Sequence, residues 1–109
     1  MVSVVKISER ETRLVVAGEM YGENAADLEK QLESVMGITA QTITLDLSLA
    51  TGITSSALGK IVRINGRLNA ESRELRIVGC SESLFRLFKM MKLDELIPIA
   101  RGQGSGTGV

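Results

Sequence analysis

The clearest pattern in this chain is the alternation of apolar and polar side chains over residues 41–48. Ile43, Leu45 and Leu47 point one way and polar residues point the other, which predicts a strand with one buried face. Because the second face is at least partly polar, helices are expected mainly on one side of the sheet.

Further strands are predicted on both sides of this one. The valine-rich residues 2–7 and the stretch 12–17 predict a hairpin. Residues 74–79 predict a fourth strand. The short apolar piece 96–99 contains Pro98, which restricts it to an edge strand or an extended segment.

Apolar residues at three- and four-residue steps predict three helices. Asn24 is the candidate N-cap of the first helix, and Gly37 ends it. The second helix covers about residues 55–70 and is capped by one of the hydroxyls at its start. Ser81 is the expected N-cap of the third helix.

The sequence also predicts which residues of the third helix are buried and which residues of the second helix are unfavourable. The third helix is predicted to bury Phe85, Phe88 and Met91, whereas Met90 is the surface candidate. Glycines at 59 and 66 in the second helix each cost about 1 kcal/mol relative to alanine. Close packing against a neighbour or a partner would explain them.

The element order is β-β-α-β-α-β-α. Helical crossovers make the strand pairs on either side of them parallel, and the opening hairpin adds an antiparallel strand. The sequence therefore predicts a single α/β domain over residues 1–100. Its sheet is mixed and four- to five-stranded, with about three to four helices mainly on one face. Residues 101–109, with glycine at every second position from Gly102, are expected to form a flexible tail.

Composition narrows the function. Thirteen basic and thirteen acidic residues cancel, and three aromatic residues offer no stacking platform, so nucleic acid is not an expected partner. No apolar run reaches the ~20 residues of a membrane span, and no signal peptide pattern begins the chain, so membrane insertion is not expected. These features and the single cysteine, Cys80, predict a cytoplasmic protein.

Histidine is absent, which removes the commonest general base and the commonest metal ligand. We therefore expect no catalytic residues, no metal and no cofactor. Cys80 follows a strand and is interpreted as a small buried apolar residue. Asp46 is expected to order a loop by a local hydrogen bond, with a direct partner contact as the alternative.

The stretch 46–59 runs from the central strand through a short loop into the second helix. Thr54, Ser55 and Ser56 lie at the helix start, where free N–H groups and the helix dipole favour an added phosphate. Because a phosphate would sharply change the local surface, the place suits a reversible switch. It also suits an ordinary helix cap, and the two roles do not exclude each other.

This stretch resembles the switch motif of the STAS domain family, D-L-S-G-V-x-x-I-D-S-S-G-L-G. Residues 46–48 match its start without gaps, and the residues matching its end in register are Ile53, Ser55, Ser56, Leu58 and Gly59. Gly18-Glu19 resembles a glycine-acid pair after the family's second strand, and the element order agrees over residues 2–99. Two of the chain's departures from the motif matter, namely Thr54, where the family has aspartate, and Ala57, where it has glycine.

The resemblance implies an anti-sigma-factor antagonist with Ser55 as the phosphorylated residue and Thr54 as the alternative acceptor. The implied partner is an anti-sigma factor that is also a serine kinase, and a phosphatase is a further candidate. The unphosphorylated domain would bind the kinase, and the phosphorylated domain would release it. The expected partner-binding residues are Thr51, Gly52, Ile53, Thr54, Ser55, Ser56, Ala57 and Leu58, with Tyr21 and Asn24 alongside.

Two alternatives remain open. The departures at Thr54 and Ala57 favour a STAS module that is not phosphorylated and serves as a scaffold or as a transporter-associated subunit. An enzyme is the second alternative, which the missing histidine and missing paired acids disfavour. The oligomeric state is left open by the sequence.

Overall fold

The structure, a computed structural model, describes residues 2–20 and 22–101, and the predicted tail beyond Arg101 lies outside them. These residues form a five-stranded mixed sheet and three α-helices, which confirms the predicted α/β class. In chain order the elements are β1 (Val2–Lys6), β2 (Glu11–Met20), α1 (Gly22–Val35), β3 (Thr42–Ile53), α2 (Ser55–Ala70), β4 (Glu74–Cys80), α3 (Glu82–Met90), a short 3₁₀ helix (Leu93–Glu95) and β5 (Ile99–Arg101).

The strands lie in the order in which they occur along the chain. β1 pairs antiparallel with β2, and the remaining neighbours pair in parallel, as helical crossovers require. Leu14, Leu45 and Ile77 are aligned across the middle strands and belong to one core with the inner faces of the helices. The hydrophobic face of the sheet therefore holds the domain together.

The opposite face of the middle strands carries polar residues, as the alternation predicts. Arg13, Thr44 and Arg76 are aligned across β2, β3 and β4. Thr44 Oγ1 donates to Glu11 Oε2 at 2.7 Å, and Arg13 lies 3.7 Å from the carboxylate of Asp46. These two contacts join β2 to β3 across the polar face, whereas Arg76 pairs with Glu74 of its own strand.

The central strand is longer than the sequence pattern indicates. β3 does not end at residue 48 but continues to Ile53, so residues 51–53 lie in a strand and not in a loop. It stays paired with β2 through register shifts that skip residues of β3, and Met20 ends opposite Ile53. Each shift moves the following side chains to the other face, which hides the strand from a search for strict alternation.

The first helix also begins earlier than predicted. α1 begins at Gly22, so Asn24 lies inside its first turn and is not its N-cap. The side-chain amide of Asn24 donates instead to the carbonyls of Ala17 and Glu19, at 3.1 and 2.6 Å. A tertiary hydrogen bond to the end of β2 therefore takes the place of the expected cap. α1 ends at Val35, before Gly37.

The third helix is capped as predicted, since the Ser81 side chain accepts a hydrogen bond from the Leu84 backbone N–H. Phe88 is buried and Met90 is 81% exposed, as expected. Met91 was expected in the core but is 48% exposed. The helix ends at Met90 and the chain turns at Lys92, where φ is +61°, so Met91 leaves the buried stripe.

The end of the predicted domain shifts as well. Arg101, which the sequence assigns to the tail, is the last residue of β5 and pairs opposite Cys80. β5 lies at the edge of the sheet, and Pro98 precedes it, consistent with the restriction that proline imposes.

Replacing Gly79 with alanine is expected to lower the free energy of unfolding by about 2 kcal/mol. Its φ is +72°, and an added Cβ would lie 2.8 Å from the Cβ of Ser48. Gly66→Ala is the matched control, because a Cβ there meets no atom within 4 Å and the change favours the helix by about 1 kcal/mol. Urea denaturation measures both, and equal stability of the two variants would refute the close approach.

Candidate functional site

The hydroxyl cluster at the start of α2 is held by a capped helix terminus. Thr54 is the N-cap, with extended backbone angles, and its Oγ1 accepts a hydrogen bond from the Ala57 N–H at 3.2 Å. The helix begins at Ser55, as the sequence predicts. The capping role expected for one of the hydroxyls therefore belongs to Thr54.

The other hydroxyls in the cluster differ in their partners. Ser56 Oγ donates to the Glu29 carboxylate of α1 at 3.1 Å. Ser55 is exposed, and its side chain makes no hydrogen bond to another described residue. Of the clustered hydroxyls, Ser55 is thus the one whose oxygen is left to solvent within the described part of the chain.

A groove of about 350 Å³ opens beside Ser55, between α1 and α2. The residues that line it are Glu29, Ser55, Ser56, Gly59, Lys60 and Arg63. Sequence reasoning missed Glu29, Lys60 and Arg63, although Gly59 and Arg63 follow Ser55 at four-residue steps. This spacing places residues on neighbouring positions of a helix surface and was an available signal.

The charged side chains around this groove differ in whether they form ion pairs. Glu33 of α1 forms ion pairs with both Lys60 and Arg67 of α2, the latter at 3.3 Å. The Lys60 ammonium, with a smaller contribution from Arg67, lowers the pKa of the Glu33 carboxyl. Arg63 is exposed, and its side chain makes no ion pair or hydrogen bond within the described residues.

The predicted partner-binding residues divide into surface and core. Thr51 is exposed, while Gly52 and Ile53 at the end of β3 are partly exposed. Ala57 and Leu58 are 0% and 4% exposed and belong to the core. Their helix positions face the sheet, so their side chains are not part of the surface in this fold.

Asn24 lies beside this region but has a structural contact. Its amide reaches the carbonyls of Ala17 and Glu19, and these flank Gly18, whose φ is +89°. Asn24 thereby fixes the end of β2 next to the end of β3. Tyr21, predicted to lie alongside it, is outside the described residues.

Asp46 and Cys80 lie away from the hydroxyl cluster. Asp46 Oδ1 accepts hydrogen bonds from the Ser48 N–H and Oγ, at 2.9 and 2.7 Å, which confirms the expected local hydrogen bond, although both residues lie within β3 and not in a loop. Cys80 is 1% exposed, and burial raises the pKa of its thiol to about 11. The protonated, buried thiol agrees with its interpretation as a small apolar residue.

The arrangement of strands and helices, with the motif at the start of α2, agrees with the family that the sequence resembles. Residues 3–104 match the model of the STAS domain. The chain belongs to the STAS domain family.

Individual relatives extend this comparison. The chain is 30% identical over 107 residues to the anti-sigma-B factor antagonist of Listeria monocytogenes, covering 95% of this chain and 94% of that protein. An anti-sigma factor antagonist from Mycobacterium paratuberculosis has a crystal structure that is 19% identical, with a TM-score of 0.79 over 94% of this chain and 87% of that one.

The phosphorylated form of SpoIIAA, a Bacillus cell fate determinant, has a similar fold. Its structure gives a TM-score of 0.72 at 14% identity and covers 92% of this chain and 91% of that chain. At these identities the structural matches show a shared fold. Among the described residues, no helix is long and apolar enough to cross a membrane.

The Thr54 cap can be tested by alanine substitution. Thr54→Ala should lower the free energy of unfolding by about 1 kcal/mol, because the Ala57 N–H loses its partner. Ser55→Ala, its neighbouring control, should change stability by less than about 0.5 kcal/mol. Urea denaturation at equal protein concentration measures both, and a larger loss for Ser55→Ala would assign the cap to Ser55 instead.

Proposed function

We propose that this protein is an anti-sigma-factor antagonist whose binding to its partner is controlled by phosphorylation of Ser55. The observation that carries the proposal is the exposed Ser55 hydroxyl without a described hydrogen-bond partner, at the switch position of a STAS motif. The 30% identity to an anti-sigma-B factor antagonist over nearly the whole chain supports the same role. The protein acts in this proposal as a binding module and a kinase substrate, not as an enzyme.

The hydrogen bonds at the helix start favour Ser55 over its neighbours as the acceptor. The Thr54 oxygen is engaged with the Ala57 N–H, so modifying Thr54 would disturb the helix cap. A phosphate on Ser56 would lie against the Glu29 carboxylate and be repelled by it. Ser55 can accept a phosphoryl group without breaking a described hydrogen bond.

The proposed switch works by charge at a close-fitting interface. A neutral Ser55 lets the partner pack over the end of β3 and the start of α2, around Thr51 and Ile53. Phosphorylation forms a bond between Ser55 Oγ and the γ-phosphorus of ATP, as ADP leaves and the hydroxyl proton passes to a base on the kinase. The added charge of about −2 must then be desolvated for binding, which favours release. A phosphatase would hydrolyse the ester and restore the hydroxyl.

Thr54 can fill a structural role that the family aspartate could also fill. Thr54 caps α2 with its side-chain oxygen, a role for which threonine and aspartate are both well suited. Ala57 is fully buried and fits the core. Neither substitution removes a feature that the proposed switch needs within this chain.

The kinase assay tests the proposal directly. The purified protein is incubated with ATP and a candidate serine kinase from its genomic neighbourhood, and the product is mapped by tandem mass spectrometry. Phosphate is expected on Ser55, absent in Ser55→Ala and retained in Ser56→Ala. The phosphorylated protein should bind the kinase at least about tenfold more weakly, a difference of about 1.4 kcal/mol.

The alternative module makes the opposite prediction in the same assay. If the protein is a scaffold or transporter-associated subunit that is not phosphorylated, no kinase modifies it. It then forms a stable complex with such a partner that Ser55→Asp leaves intact. That result would refute the proposed switch while leaving STAS membership untouched.

A further inference from the structure

We infer that Arg63 binds the phosphoryl group of phosphorylated Ser55, so that the switch site includes its own cationic receptor. This inference rests on Ser55 being the acceptor, as proposed above. It adds a residue two helical turns away that the switch motif does not contain.

The helix positions Arg63 on the same side as Ser55. Ser55, Gly59 and Arg63 are four residues apart along α2 and line one groove of about 350 Å³. The rise from Ser55 to Arg63 is about 12 Å, and helical side chains lean toward the N-terminus, so an extended arginine covers much of this distance. To meet the guanidinium, the phosphoserine side chain turns along the groove toward the C-terminus, against its own lean toward the N-terminus.

Gly59 keeps the path between the two residues open. A Cβ built on Gly59 would meet no atom within 4 Å, so nothing in the described chain fills the space above it. A phosphoryl group on Ser55 can therefore lie over bare backbone and reach the Arg63 guanidinium. A larger side chain at this position would stand between them.

The remaining charges select Arg63 over the other cations of α2. Lys60 and Arg67 are both ion-paired with Glu33, whereas Arg63 has no described partner. A guanidinium can bind a phosphate through parallel N–H donors, which a committed lysine cannot match. Arg63 is the side chain that gains most from a new anion.

Glu29, on the α1 side of the groove, also favours a contact between the phosphate and Arg63. Its carboxylate lines the groove and accepts a hydrogen bond from the Ser56 hydroxyl at 3.1 Å. Because like charges repel, a phosphate on Ser55 is driven away from Glu29. The charged groups that face the phosphate are thus Glu29, Lys60 and Arg63, and the uncommitted cation is the favourable one.

A consequence follows for partner release. In the unphosphorylated protein, Arg63 is available to an acidic group on the partner. After phosphorylation it is occupied within the chain, so the partner loses this contact and also meets the added negative charge. The phosphorylated state is then stabilised by contacts of its own and does not depend on repulsion alone.

The test installs phosphoserine at position 55 by genetic code expansion, which needs no kinase, and follows the second phosphate pKa by phosphorus NMR. That pKa is about 6 for free phosphoserine. Arg63 should lower it, so Arg63→Gln should raise it by about half a unit or more relative to the otherwise unchanged phosphoprotein. Arg63→Lys, which keeps a positive charge, should give an intermediate value.

Arg67→Gln is the matched control, because Arg67 lies on the same helix but is committed to Glu33. It should leave the phosphate pKa unchanged, and circular dichroism confirms that each exposed-site variant is folded. An identical phosphate pKa in the parent and Arg63→Gln would overturn the inference, as would an equal shift in Arg67→Gln.

The two proposals fail in separate ways. A kinase that does not modify Ser55 refutes the proposed function, whatever the NMR titration shows. A kinase that does modify Ser55, together with a phosphate pKa insensitive to Arg63→Gln, refutes the receptor alone.

Discussion

The position of the candidate site depends on the parallel pairing of β2 with β3. This pairing continues past two register shifts until Met20 lies opposite Ile53, so the chain turns into α2 directly from the end of a strand. A turn made from a paired strand has little conformational freedom, and Thr54 completes it by capping the helix. The location of the Ser55 hydroxyl is therefore set by backbone hydrogen bonds of the sheet and not by a free loop.

Asn24 extends this constraint to the neighbouring strand. By donating to Ala17 and Glu19, it holds the last residues of β2 where Gly18 has a left-handed backbone conformation. α1 is thereby attached to the same end of the sheet as α2. Both helices that form the groove, which contains Ser55 and Arg63, are consequently held in place by the sheet.

The sequence predicted the features that repeat regularly. Alternation identified β3 through residue 48, the three- and four-residue spacing identified α2 with its bounds, and the Ser81 cap was found from residue type alone. Features that depend on a break in regularity were not predicted. The β3 extension is hidden by register shifts, and the true contact of Asn24 is made to residues of another element. Local pattern carries no information on either.

The candidate site, too, was predictable from the sequence only in part. Its residue types and its position at a helix start are readable from the motif, but the commitment of each hydroxyl and cation depends on which side chains α1 brings to the groove. Glu29 accepts a hydrogen bond from Ser56, and Glu33 forms ion pairs with Lys60 and Arg67. The side chains of Ser55 and Arg63 are left without a partner within the described residues. Selectivity among similar groups here comes from the packing of two helices, which spacing along one helix cannot show.

The glycines of α2 show what packing within the chain leaves unexplained. Gly59 and Gly66 sit in the helix at a cost of about 1 kcal/mol each, yet neither lies against another part of the described chain. A neighbour within this domain, one of the explanations that the sequence left open, is therefore excluded for the described residues. Gly59 lines the groove beside Ser55, so its missing side chain keeps the Ser55 hydroxyl accessible. Gly66 does not line that groove, and nothing in the structure explains it. The stability given up at Gly59 is thus explained by the open surface beside Ser55, where the proposed partner and phosphate would bind.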